Sequence, residues 1–394
     1  MKNITLLTTK YPEREGDEWL TNELVSRLSE KYNVDVIHLS WSFSDGETKE
    51  YLKDGAKIHR LRLMKFLYGN NPLIKLLKMI VFSLFSSMKY FSVLKRSDIL
   101  LASTPCIAIW AMLLFPFKRG QIKKYLICWD FFPYYLDGIW EGHKKRLFLL
   151  FFKVENYLYN KFNVIGCMTK GNIDFLNNNY FLSNNVEVAI LPLWADIKPR
   201  KVIDKTAFRI QFGLPFNKKI IVYGGAMTQV QELDKIILMM KFLSDAHLVM
   251  IGKGPDFSRL SNIIESENIK NVSLLNYIPR DKYEDLVASC DLGVVSLSCK
   301  LKVPSFPSKT IDYLKVGLPI IAFVDSYTDY SDILESEIRA GKSINNHDVV
   351  TMSKEVDALL RDSGTLFKMS VNGRAYYEEK MNADIIVSDL TTKF

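Results

Sequence analysis

Three residues in the second half of this 394-residue chain have the types and spacing of a binding site: Ser308, Lys309 and Asp312, inside PSFPSKTIDYLKVGLPIIAFVD from Pro304 to Asp325. Pro304 and Pro307 hold the entry extended, and Gly317 with Pro319 ends a short helix before the apolar run Ile320, Ile321, Phe323 and Val324. The segment therefore reads as loop, helix and buried strand. Ser308 takes the N-cap, Lys309 the first turn, and Asp312 lies one turn further on the same face as Ser308. Unpaired N–H groups, a hydroxyl and an ammonium can receive a phosphate, and a carboxylate one turn on can accept two ribose hydroxyls. That is the chemistry of a nucleoside diphosphate site. A helix carrying a solvated Lys and Asp would show the same residues, so the segment alone leaves both readings open.

The elements that would position these residues alternate along the second half. Ile220–Tyr223 reads as a strand ending in Gly224 and Gly225, followed by a helix with Leu233, Ile236, Ile237 and Met240 at helical spacing. His247–Ile251 is a second strand, ending in Gly252, Lys253, Gly254 and Pro255. Strands at Val272–Leu275 and Leu292–Ser296, with a helix between them at Asp281–Ser289, continue the pattern. Glycine turns after two successive strands, followed by the Ser308 helix, point to one nucleotide-binding face.

The first half alternates in the same way. Strands are expected at Asn3–Thr8, Val34–Leu39, Lys57–Arg62, Asp98–Ala102, Tyr125–Trp129, Asn163–Met168 and Val186–Leu191, with a helix from about Glu18 to Lys31. Alternation of this kind gives a mostly parallel sheet covered by helices, with ligands at the carboxyl ends of the strands. Three loops then matter: Tyr11, Pro12 and Gly16; Ser103, Thr104 and Pro105; and Trp129, Asp130, Phe131, Phe132 and Pro133. An Asp at a strand end is costly to bury unpaired, so Asp130 either faces solvent in a cleft, has a partner, or caps the next helix. The polar, basic stretch Lys198–Lys219 is a connector, which places a boundary near residue 195.

Composition narrows the classes. The chain is 48% hydrophobic and 24% charged, as a folded globular protein is, and its length suits two or three domains. Residues 1–195 carry 26 Lys and Arg against 18 Asp and Glu, whereas residues 196–394 carry 26 of each. Thirteen of the basic residues fall between Lys57 and Lys124, among them Lys118 and Arg119, with Asp98 as the only acid. The same stretch holds LIKLLKMIVFSLFSSMKYFSVLKR from Leu73 to Arg96, in which Lys75, Lys78 and Lys89 interrupt any membrane-spanning window. An amphipathic helix presenting Lys75, Lys78, Phe82, Phe85, Lys89, Lys95 and Arg96 to an anionic lipid surface is expected there, against a domain helix with snorkelling lysines. Interleaved Leu, Ile and Phe, with no nucleic-acid-binding motif, argue against nucleic acid. The five dispersed cysteines show no metal or redox spacing and read as core thiols of a reducing cytosol, and the Thr-interrupted N-terminal run reads as a strand rather than a secretory signal.

The segment from Pro307 to Ile321, with Ser308, Lys309, Asp312, Tyr313, Gly317, Pro319 and Ile320, resembles the donor-site element of family 4 glycosyltransferases. The turns at Gly224–Gly225 and Gly252–Pro255 resemble that family's YxGN and GxGP. STP at 103–105 with WDFFP at 129–133 resembles the acceptor-domain SxPP and DLWP of a bacterial branch that builds O-antigen, capsule and other cell-surface polysaccharides, and LPLWADI at 191–197 resembles its IPNW linker. The resemblance covers nearly the whole chain, more loosely in the first half. It implies an α/β chain of two Rossmann-like domains facing a cleft (GT-B): residues 1–195 binding the acceptor and facing the membrane, and residues 196–394 binding the donor. The C-terminal helix is then free to pack back on the first domain.

It further implies a donor site of Gly16, Gly224, Gly225, Lys253, Gly254, Tyr277, Ser308, Lys309, Thr310 and Asp312, with Asp130 as the catalytic or positioning acid. Retaining transfer from a nucleotide-diphosphate sugar, a UDP-sugar by preference, to a lipid-linked saccharide is expected, with no metal and no cofactor, on the cytoplasmic face of the membrane. Departures stand out. Leu193 replaces the linker Asn, the segment AMTQVQE at 226–232 lacks the family's basic pair, and Pro304 stands where the family has the first of two Glu residues. The diphosphate is left to Lys309, backbone N–H groups and Lys253. A GT-B-shaped nucleotide-sugar epimerase and a non-catalytic membrane scaffold are the alternatives.

Overall fold

The structure, a computed structural model, describes residues 1–69, 71–115, 122–136, 144–200, 203–345 and 348–394. Lys118 and Arg119, counted in the basic stretch, lie outside the described residues. The chain divides into two compact units, Met1–Asp196 with Ala383–Phe394, and Ile197–Asn382.

The first unit is built on eight strands: β1 (Asn3–Thr8), β2 (Asn33–Leu39), β3 (Lys49–Lys53), β4 (Ala56–Leu61), β5 (Ile99–Ser103), β6 (Lys123–Cys128), β7 (Val164–Cys167) and β8 (Glu187–Ile190). Their order is β3-β4-β2-β1-β5-β6-β7-β8, parallel throughout except for the β3–β4 pair. The inner strands are buried along their length, which explains apolar runs such as ILLAS in β5 in place of alternation. The β3–β4 hairpin is a finding beyond the sequence expectation. Its turn is Asp54-Gly55, both with positive φ (54° and 75°), the geometry that an Asp-Gly pair supplies to a two-residue hairpin. Asp54 also accepts hydrogen bonds from the Tyr11 hydroxyl (2.6 Å) and Asn22 Nδ2 (2.8 Å), tying the loop after β1 to this hairpin.

The helix Ala383–Thr391 joins the first unit, where Ala383 N–H donates to the Ala195 carbonyl (3.0 Å) and Arg27 bridges Asp196 (2.6 Å) and Asp384 (3.0 Å). Trp194 is fully buried beside them, its indole N–H donating to the Leu20 carbonyl.

The single helix expected from Leu73 to Arg96 is two, Pro72–Lys89 and Phe91–Arg96. They break at Tyr90, which turns inward against His59 (ring centroids 5.2 Å apart). Two residues expected on the lipid-facing side are instead internal. Phe82 is fully buried, and Lys78, only 5% exposed, donates to the Trp41 carbonyl (3.0 Å) with its ammonium over the Trp41 and Tyr68 rings. Arg96 pairs with Asp35 of β2 (2.5 Å). Lys75, Lys89 and Lys95 are exposed, as is Phe85. With Leu77, Ile80, Leu84 and Met88, Phe85 forms an exposed apolar stripe at helical spacing. Four cysteines are core thiols as expected, but Cys299 is exposed.

The second unit has six parallel strands, β9 (Lys219–Gly224), β10 (Ala246–Ile251), β11 (Val272–Leu275), β12 (Leu292–Ser296), β13 (Ile320–Phe323) and β14 (Gly341–Ile344), ordered β11-β10-β9-β12-β13-β14. The order reverses between β9 and β12. In doubly wound sheets this switch point opens a crevice beyond the strands' carboxyl ends, and here it is bounded by Gly224 and Ser296.

Candidate functional site

At the switch point, two loops approach each other more closely than side chains would allow. A Cβ on Gly252 would stand 1.8 Å from the Gly225 carbonyl oxygen, and one on Gly254 would stand 2.1 Å from that of Met227. Gly225 N–H donates to the Ile251 carbonyl and Met227 N–H to that of Lys253, locking the β9 and β10 loops together. The glycines therefore supply proximity, with φ of +136° at Gly225. Gly225 N–H is taken by Ile251, and Gly224 N–H donates to the Tyr313 hydroxyl (3.3 Å).

The helix Lys309–Val316 starts beside this paired loop. Ser308 stands at the N-cap position but in helical conformation, exposed and without a side-chain capping bond, so the expected cap is not formed. Thr310, expected at the donor, turns the other way: it is buried and its hydroxyl bonds that of Tyr330 (2.7 Å). The N–H groups of Thr310 and Ile311 fold back onto the carbonyls of Pro307 and Ser308.

Lys309 does face the glycine loop. Its Nζ would lie 3.7 Å from a Cβ on Gly225, and it sits 3.7 Å from the centre of the Tyr223 ring, buried and without a hydrogen-bond partner among the described residues. Burial pushes its pKa down to about 7, against the opposing pull of Asp312.

Asp312 is not free to receive a ribose alone, because Arg280 forks onto both of its oxygens: Nη1 to Oδ2 at 3.1 Å, and Nη2 to Oδ1. Burial works against the Arg280 charge, but the Asp312 carboxylate outweighs it and holds the guanidinium above its ordinary pKa. Arg280 opens the helix Arg280–Ser289, and Glu284 one turn on pairs with Lys315 (2.5 Å), so two ion pairs clamp this helix to the Lys309 helix. Sequence reading missed Arg280. Its only signal was its place directly after Pro279, a helix start that faces the strand switch point.

Lys253 leans over the Tyr277 ring (5.2 Å), and Tyr277 is half exposed, so these two share the outer end of β10. Gly16, in the first unit, has a φ of +87° and open space around it, with its N–H held by the Glu18 carboxylate (2.9 Å).

In the first unit Asp130 lies just past β6, open to solvent at its own surface yet densely surrounded. Burial raises its pKa, and the Thr104 hydroxyl opposes that rise. Thr104 Oγ1 accepts N–H bonds from Trp129 (3.2 Å) and Asp130 (3.4 Å), so the loops after β5 and β6 are joined. Behind them is a carboxylate that sequence reading passed over. Glu155 is fully buried and accepts the N–H groups of Cys106 (3.1 Å) and Ile107 (2.7 Å), where its pKa is driven to about 8 by burial. Among the described residues no group of three or more His, Cys, Asp and Glu could hold a metal ion, and no helix is long and apolar enough to cross a membrane.

Comparison with known proteins bears on this geometry. Residues 204–376 match the family model for glycosyl transferases group 1. The WcaI protein of Escherichia coli, assigned by name to glycosyl transfer in colanic acid biosynthesis, is 27% identical over 157 residues. That match covers 38% of this chain and 38% of WcaI, so the shared stretch spans well under half of either protein. The sucrose-phosphate synthase of Thermosynechococcus elongatus superposes with a TM-score of 0.80 at 14% identity, covering 100% of this chain and 98% of its own. Anabaena HepE, solved in complex with UDP-glucose, superposes with a TM-score of 0.70 at 13% identity over the full length of both chains. The Lys309 helix, the glycine loops and Arg280 all fall inside the matched residues 204–376, and the chain shares the two-unit GT-B fold of the solved structures on which it superposes.

Proposed function

We propose that this protein transfers a sugar from a nucleoside-diphosphate sugar, a UDP-sugar by preference, to a lipid-linked saccharide during synthesis of a cell-surface polysaccharide. The observation that carries the reading is the buried amine of Lys309, without a hydrogen-bond partner among the described residues, at a helix start beside the glycine-joined loops of the switch point. A diphosphate fills such a vacancy in charge and hydrogen bonding. The colanic acid role in WcaI's name and the UDP-glucose bound by HepE support the polymer class and the nucleotide.

In this reading the leaving diphosphate gathers negative charge against Lys309 and the helix start, which lowers the barrier electrostatically. A diphosphate oxygen takes the acceptor proton, and the sugar keeps its anomeric configuration without a metal or other cofactor. Asp130 orients the acceptor hydroxyl. The exposed stripe Leu77, Ile80, Leu84, Phe85 and Met88, flanked by Lys75, Lys89 and Lys95, rests on the anionic cytoplasmic face of the membrane and brings the first unit to its lipid-linked acceptor.

The test is thermal melting with UDP, GDP, ADP and CMP. At about 100 times its Kd the correct nucleotide adds about 2.7 kcal/mol to the wild type. Lys309→Ala loses that response. Stabilisation by none of the four, or an undiminished response in the variant, refutes the donor site.

A further inference from the structure

Lys309 differs from an ordinary phosphate-binding lysine in having no counter-charge of its own. The nearest acid on its helix, Asp312, is committed to the Arg280 fork. The groups around it are Tyr223 on β9, whose ring lies beneath Nζ and whose hydroxyl donates to the Ala226 carbonyl (2.7 Å), and Tyr313 on its own helix, bonded to Gly224 N–H and the Val294 carbonyl. On the neighbouring helix Tyr283 reaches toward Gly224 and carries the Arg280 guanidinium over its ring (5.7 Å), and Lys253 leans over Tyr277. Burial raises both Tyr223 and Tyr313 above their ordinary pKa, so neither offers an anion. A positive charge at Nζ would have only a ring face and a shared carboxylate to meet it.

We propose that Lys309 stands as the neutral amine in the empty site and takes a proton from solvent when a diphosphate arrives, so that donor binding and proton uptake are one event. This rests on the donor-site reading above. The balance is simple: the amine lone pair accepts one solvent proton, and the resulting ammonium donates to the diphosphate oxygens, which replace the missing counter-charge. No other bond forms or breaks. The direction agrees with the depressed pKa of about 7 at Lys309, since an amine that is mostly neutral at pH 8 must gain a proton to pair with an anion. It also fits the absence of a second base in AMTQVQE at 226–232, because the single cation is made on demand at the place where charge is needed.

The experiment is calorimetric titration of the whole protein with UDP at pH 6 and pH 8, each in two buffers of different ionisation enthalpy. At pH 8 a terminal phosphate, whose second ionisation lies near 6, is already deprotonated, so protons consumed there enter the protein. For a group at about 7, the amine takes up about 0.9 proton per UDP at pH 8 and about 0.1 at pH 6, where the half-protonated terminal phosphate releases about 0.5, so net uptake at pH 8 becomes net release at pH 6 and affinity falls about fivefold from pH 6 to pH 8. Lys309→Arg, always charged, binds UDP with no uptake at pH 8. If the wild type binds UDP at pH 8 without consuming protons, or the Arg variant consumes as many, the proton linkage is overturned while the donor site stands. If UDP does not bind the wild type at either pH, both fall together.

Discussion

Replacing Lys309 with Met should make the empty protein more stable while removing its response to nucleotide. The Lys309 pKa drops from 10.5 to about 7 on folding, roughly 3.5 units at about 1.36 kcal/mol each, or about 5 kcal/mol as a ceiling. The residue's stem is partly exposed and relaxation softens the penalty, so a gain of about 2 kcal/mol at pH 7 is the reasonable expectation. In a unit of this size that is about 4–8 °C in Tm. The sign is fixed by linkage. Between pH 7 and 10.5 the unfolded chain holds the proton and the folded chain does not, so wild-type stability rises with pH and the advantage of Lys309→Met shrinks. Melting of wild type and variant from pH 6 to 9 reads both effects in the transition of the second unit. A variant that is less stable than wild type, or an advantage that does not change with pH, would refute the account of Lys309 as a desolvated amine.

Two further outcomes follow from the first unit. Phe85→Glu with Met88→Glu, at positions 49% and 74% exposed, should cut co-sedimentation with anionic liposomes at least tenfold without moving the melting curve, whereas Lys78→Met should lower the melting temperature and leave liposome binding intact. Glu155 has its folded pKa raised from 4.5 to about 8, so its contribution is present below pH 4.5 and is lost as pH rises through 8; Glu155→Gln should flatten that decline, and an unchanged pH slope would show that the carboxyl is not held protonated.

Much of the fold was legible because parallel strands covered on both faces announce themselves as short apolar runs. β1, β11 and β12 begin and end at the expected residues, and most of the others lie within one or two. β3 was not seen, since KEYLK at the sheet edge is largely exposed and has no apolar face to betray it. Its one signal was the Asp54-Gly55 pair. β14 was missed for a related reason: GKSI is short and half polar, and it is strand-like only because β13 offers it an edge. The basic helix was read correctly as amphipathic but not by face. With Leu, Ile, Phe and Met on every side, spacing could not say that Phe82 turns inward while Phe85 turns out, and Lys78 is internal only because Trp41 and Tyr68 receive its charge.

The donor-side residues illustrate what a one-dimensional reading assigns well and what it assigns badly. It placed Lys309, Asp312 and the glycines near one another because helix spacing and strand ends are local properties. Their roles were decided by partners far away in sequence. The Gly224 and Gly225 N–H groups bond Tyr313 and Ile251, and Asp312, read as a ribose acceptor, also holds the fork of Arg280, 32 residues upstream. Each of these contacts ties a polar group to the fold and leaves Lys309 Nζ as a buried amine without a hydrogen-bond partner among the described residues. With the Arg280 fork on its carboxylate and the Gly224 and Gly225 N–H groups bonded within the fold, the proposed site meets an anion with the Lys309 amine, and this is why both the stability of the empty unit and the protons consumed on binding should report on the same atom.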